Sequence, residues 1–131
     1  MKSILLIFGL SFSLLASAQG VKVKKKYLKS YEGVIPSYGI NTGSEVVEVR
    51  DEKIQISLTK DSLYIQVGKV ISSGNYNASK EEKNQYTITG TMETTGIPEL
   101  LYVNTKSKEI TRKGVFPQPD VVLKLADKPT E

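Results

Sequence analysis

Glu48, Glu93, Glu99 and Glu109 are the residues of this chain whose type and setting could do chemistry. Each lies in or beside a stretch of alternating apolar residues, and two carboxylates flanking a glycosidic bond are the working pair of a glycosidase. None of the four has a partner at a recognisable spacing. Other catalytic residue types are missing, for the 131 residues include no histidine, cysteine or tryptophan. Without imidazole there is no Ser-His-Asp or Cys-His arrangement, and without both Cys and His the usual zinc sites are gone. Calcium takes oxygen ligands, yet Asp51-Glu52 falls in a turn and Glu81-Glu82 in a polar stretch, with no cluster at ligand spacing. No Gly-rich phosphate loop of either standard form is present. The sequence predicts a protein that is not an enzyme and holds no cofactor or metal.

The residues left for recognition are tyrosines. Tyr27, Tyr31, Tyr38, Tyr64 and Tyr76 are the candidate binding residues, because tyrosine combines a large apolar face with a polar tip and is enriched at binding surfaces. Tyr64 stands opposite Leu63, Ile65 and Val67 in an alternating run and is expected to point outward. Tyr27, Tyr31 and Tyr38 lie in the least regular part of the chain, where a recognition loop is expected.

These residues need a scaffold, and the chain reads as β throughout. Ile54, Ile56 and Leu58 alternate with polar residues, Thr59 to Ser62 supply a turn, and Leu63, Ile65 and Val67 alternate again, which is a hairpin pattern. Ser72-Ser73-Gly74-Asn75 reads as a turn and the polar run from Asn77 to Asn84 as a loop. Tyr86, Ile88 and Met92 then alternate with threonines, and Gly90 in their register suggests a bulge or a close backbone approach. Thr94 to Pro98 break the chain. Short strands around Leu101 and Val103, around Ile110, and from Val121 to Leu125 complete the pattern, with an extended link through Pro117 and Pro119. The segment from Val34 to Ser44 is either a loop over one end of the sheet or a ragged early strand. The expected fold is all-β, a small antiparallel β-sandwich or closed β-barrel of about seven to eight short strands. Strands of about five to seven residues fit a soluble sheet rather than a membrane-spanning barrel, which needs about 9 to 11.

The destination is read at the N-terminus. Lys2, an apolar run from Ile4 to Leu15 and Ala16-Ser17-Ala18 form a signal peptide over residues 1–18. The run is too short for a membrane-crossing helix of about 20 residues, so no transmembrane segment is expected after cleavage. Export without cysteine points to a bacterial envelope protein, periplasmic or extracellular, since small secreted eukaryotic domains usually carry disulfides. Residues 19–30 form a basic segment and residues 31–131 a single β-domain. The chain has 18 basic and 14 acidic residues, and five of the lysines fall between Val21 and Lys29. Positive charge confined to a leader argues against nucleic acid as a partner. The expected role of that leader is a solvated or edge segment, whose removal over residues 19–26 leaves stability nearly unchanged.

Ser73-Gly74-Asn75-Tyr76 resembles the Ser-Gly-x-x-Tyr loop of small periplasmic lysozyme inhibitors, one residue short, while that family's second motif and its cysteines are missing. The resemblance keeps an envelope enzyme inhibitor as one alternative. The leading expectation is a non-catalytic envelope binding protein whose partner is another envelope protein or a surface glycan. The other alternative is a lipocalin-like carrier of a small apolar ligand, since a barrel of about eight strands has room for one.

Overall fold

A computed structural model describes residues 20–115 and 117–126; the signal peptide expected over residues 1–18 lies outside them. The described residues form ten strands: β1 (Ser30–Ile35), β2 (Tyr38–Asn41), β3 (Val46–Val49), β4 (Glu52–Leu58), β5 (Ser62–Val67), β6 (Val70–Glu82), β7 (Gln85–Thr91), β8 (Pro98–Asn104), β9 (Glu109–Arg112) and β10 (Val121–Leu125). Eight of them close into an antiparallel barrel in the order β1-β10-β9-β8-β7-β6-β5-β4. Of the two architectures the pattern allowed, the barrel is the one adopted. Strands β2 and β3 pair only with each other, as a flap inserted between β1 and β4.

Closure follows from the pairing of β1, which meets β4 along its whole length and β10 through Tyr31–Leu125 and Glu32–Lys124. No barrel strand is left with an open edge, the condition that lets a small sheet dispense with disulfides or other edge protection. The period-two pattern then sorts the side chains. Ile54, Ile56, Leu58, Leu63, Ile65, Ile88, Leu101, Val103, Ile110 and Leu123 fill the interior, while polar residues such as Gln55, Ser57, Gln66, Asn75, Thr89 and Lys124 are on the outer wall. A bilayer-spanning barrel carries an apolar band in that position instead. Among the described residues no helix is long and apolar enough to cross a membrane.

The expected hairpin forms as β4 and β5, with Leu58 opposite Leu63 and Ile54 opposite Val67. Residues 70–84 depart from expectation. The turn after β5 is at Gly68-Lys69, and what read as a turn (72–75) and then a loop (77–84) is, up to Glu82, one strand of 13 residues, β6, with only residues 83–84 forming a turn. Its inward positions are Ser72, Gly74, Tyr76 and Ala78, mostly small, so it lacks the large apolar alternation that marks its neighbours. Small residues are needed there. A Cβ on Gly74 would run into the backbone carbonyl of Thr91. Gly74→Ala should therefore cost about 2 kcal/mol, as overpacking of a tight core does, checked by the shift of the urea midpoint. Gly90 does mark a close approach, since a Cβ there would meet Leu63 Cδ2 at 3.0 Å, but β7 runs without a bulge. The irregularity in pairing lies between Ser79 and Glu82.

The basic leader is not a free tail. Residues 20–29 cross one end of the barrel, with a short 3-10 turn at Lys25–Tyr27. Val23 and Tyr27 belong to the buried core, 8% and 6% exposed. The Val21 amide donates to the Ala78 carbonyl (2.8 Å) and the Leu58 amide to the Lys29 carbonyl (3.1 Å). The Tyr27 hydroxyl donates to the Thr105 carbonyl at 3.3 Å and its ring meets Tyr86 with centroids 6.0 Å apart. Tyr31, fully buried below, donates its hydroxyl to the Tyr27 carbonyl at 2.9 Å. Burial, and then the neighbouring Tyr27, push its phenol up to about 12, so it stays protonated as that donor. This segment is a plug. Its lysines stand outward because the side chains that face the core, buried Val23 and Tyr27 with partly buried Leu28, are apolar.

Candidate functional site

The end opposite the plug is open. There β5, β6, β8 and β9 end or begin, and their inward side chains surround a cavity of about 330 Å³, at the lower end of the range for small-molecule pockets. Ile65 and Val67 of β5 and Met92 after β7 form its inner wall, Tyr38 and Ile40 of the flap its lid, and Ile97 and Val115 its loop rim. The apolar character continues outside it. Ile40, Val70, Ile97 and Val115 are all exposed, as are Val46 and Val47 of the flap and Ile71 beside Val70.

Two charges sit in this apolar setting. Glu99 is in the inward register of β8 with Leu101 and Val103, and Arg112 in that of β9 with Ile110. Their side chains are 12% and 11% exposed. The guanidinium makes a forked pair with the carboxylate, Arg112 Nε donating to Glu99 Oε1 at 2.9 Å and Nη2 to Oε2 at 3.0 Å. A third bond runs from Arg112 Nη1 to Gln118 Oε1 at 2.7 Å. A guanidinium has five N–H donors. Three are used here, and two have no hydrogen-bond partner among the described residues.

The β9–β10 connection brings Gln118 to this pair. Asp120 Oδ2 accepts from Lys113 Nζ at 2.6 Å and Oδ1 from the Gly114 amide at 2.9 Å, which ties the two ends of the connection together. That exposed carboxyl is held below the usual carboxylate range, first by the hydrogen bond from Lys113 and then by the Gly114 amide. At Gly114 a side chain would strike the carbonyls of Gln118 and Pro119, so the loop's tight return requires glycine. Phe116 lies outside the described residues.

The outer wall offers a second concavity, about 420 Å³, over β1, β4 and β5. Although larger, it sets Glu32, Lys53, Gln55 and Gln66 beside only two apolar side chains, Val34 and Ile54, and is more polar than the mouth. The mouth is the better site, because apolar walls with a few convergent polar groups are what retain a small ligand.

The tyrosines singled out by sequence do not come together. Tyr27 and Tyr31 are in the core. Tyr76 is half-buried near the plugged end, with its hydroxyl donating to the Thr59 carbonyl at 2.6 Å, and burial, then Asp61, raise its pKa. Tyr64 points outward as expected, 43% exposed on the wall between Ser57 and Ser73. Only Tyr38 reaches the mouth. The four glutamates are likewise dispersed. Glu48 is on the exposed flap, Glu93 in the loop after β7, Glu109 at the plugged end of β9, and Glu99 alone faces inward. The Ser73–Tyr76 stretch that resembles an inhibitor loop is interior strand, not loop.

Among the described residues no group of three or more acidic side chains is placed to hold a metal ion. Arg112 and Gln118 had no part in the sequence expectations. The signal for Arg112 was there to be read, as a charge in phase with the buried residue of its strand, matched by Glu99 in the neighbouring strand. Set against known proteins, the chain matches no family model, no curated protein and no solved structure, so the geometry of the mouth carries the functional reading alone.

Proposed function

We propose that this is an exported, non-catalytic envelope binding protein that takes a small, mostly apolar ligand bearing a hydrogen-bond acceptor into the barrel mouth. The observation that carries this reading is the apolar cavity with the Arg112–Glu99–Gln118 cluster at its side. The interior below is filled by the protein's own side chains, so the ligand sits at the mouth rather than deep in the lumen, as the carrier reading of the sequence had it. The unpaired flap is the element that admits and covers it. A two-stranded hairpin of four-residue strands has little stability of its own, and this one has no hydrogen-bonded partner in the barrel.

Anilinonaphthalene sulfonate, an apolar ring system with an anionic acceptor, is a suitable first probe. Its fluorescence should rise and saturate at one probe per folded chain, and Val67→Trp, which fills the cavity from its wall, should abolish the rise while leaving the fold intact by circular dichroism. Absence of saturable binding, or equal binding by the variant, would rule out the mouth as the site.

A further inference from the structure

The plugged end carries a charge that the sequence displays only in part. Beyond Lys22, Lys24, Lys25, Lys26 and Lys29 of the plug, the β4–β5, β6–β7 and β8–β9 turns all lie at this end and add Lys60, Lys83, Lys106 and Lys108. Lys80, near the end of β6, makes ten, and all ten are exposed. Against them, among the described residues, stand the carboxylates Asp61, Glu81, Glu82 and Glu109. The ion pairs among the described residues are Arg112–Glu99 and Lys113–Asp120, so none of the ten lysines is held by a described carboxylate. Instead Lys26 and Lys80 hold their ammonium groups 5.2 Å from the ring centres of Tyr27 and Tyr86, which keeps the heads spread over the end of the barrel. At the mouth the balance reverses. Apart from the buried pair, residues 36–53, 68–71, 93–97 and 113–120 hold six carboxylates and four cations.

We propose that the plugged end is a docking face for an anionic lipid bilayer, which it meets at headgroup level. Four separate elements present lysines around a barrel end, an arrangement that suits a planar array of lipid phosphates. A polymer threading one groove would need the charges in a line. The large apolar residues exposed at the mouth have little counterpart here, where Val21 is the nearest, so the contact is electrostatic and does not insert. The bilayer then lies on the side away from the mouth, which stays open to ligand.

The test is co-sedimentation of the full mature chain with vesicles of phosphatidylcholine, alone or with about 30 per cent phosphatidylglycerol. Binding is expected only to the anionic vesicles, with release at about 0.5 M salt as the charges are screened. Neutralising one lysine on each of three elements, Lys25→Gln, Lys83→Gln and Lys106→Gln together, should weaken partitioning by about a hundredfold. The same changes at Lys53 and Lys69, at the other end, should have little effect, and an unchanged melting temperature shows that both variants fold. Equal partitioning to neutral vesicles, or an unaffected triple variant, would overturn the proposal. So would capture by soluble dextran sulfate without any binding to anionic vesicles, which would assign the face to a polymer instead.

Discussion

Tyr27→Ala is expected to destabilise the protein by about 3 kcal/mol, as removal of a large buried aromatic side chain does. The ring lies in the core against Tyr86, and its hydroxyl reaches the Thr105 carbonyl in the turn across the barrel end. Alanine would open a cavity under the plug and loosen the carbonyl of residue 27, the acceptor for the buried Tyr31 hydroxyl. Against a total of about 5 to 15 kcal/mol for a domain this loss is large. Deleting residues 19–26 should likewise cost well over 1 kcal/mol, because it removes buried Val23 and the Val21–Ala78 hydrogen bond. This reverses the sequence expectation of a dispensable leader. Urea denaturation of both variants checks it: midpoints within experimental scatter of the parent would mean that the plug contributes nothing to the fold.

Arg112→Met should cost about 3 to 5 kcal/mol, the usual penalty for leaving one partner of a buried ion pair behind. Glu99 would then face an apolar cavity with its two guanidinium bonds gone. The double variant Arg112→Met/Glu99→Met should recover most of that loss, since an apolar pair of similar volume is often as stable as the ion pair it replaces. A thermodynamic cycle through the two single variants and the double variant measures the coupling. If the double variant is as unstable as Arg112→Met, the pair is not what the mouth depends on. The recovered protein is also the informative one for function, for it keeps the shape of the cavity but not the donors. Weaker binding of the anionic probe by this stable variant would place the acceptor of the ligand at Arg112.

The legible part of the fold was the part with a large apolar residue at every second position. In β4 and β5 Ile54, Ile56, Leu58, Leu63 and Ile65 are all inward and buried, so chemistry and geometry share one period. Strand β6 has the same geometry without the signal. Its inward Gly74 and Ala78 leave room for larger side chains from elsewhere in the barrel, and a strand that accommodates its neighbours' bulk reads as a loop. The plug was hidden for the opposite reason: the lysines around Val23 and Tyr27 dominate the composition, although the two apolar residues determine where the segment goes. The site was legible in its parts only. Glu99 was noticed as a carboxylate and Tyr38 as an aromatic, but closing the mouth needs the pairing of β8 with β9 and the fold-back of the β9–β10 connection, neither of which has a local signature.

The pairing of β1 with β10 also governs the order in which the molecule can be completed. The contact between Tyr31 and Leu125 joins nearly the two ends of the described chain, and folds dominated by such distant contacts form slowly. A chain emerging N-terminus first can build the meander from β4 to β9 by adding each strand to the last. Strand β1 has only β4 to lean on until β10 arrives, and during that interval β1 and β9 are both open edges able to recruit another chain. The final five-residue strand thus acts as the clasp of the barrel, and the time before it closes is when the protein most needs to be kept from its own copies.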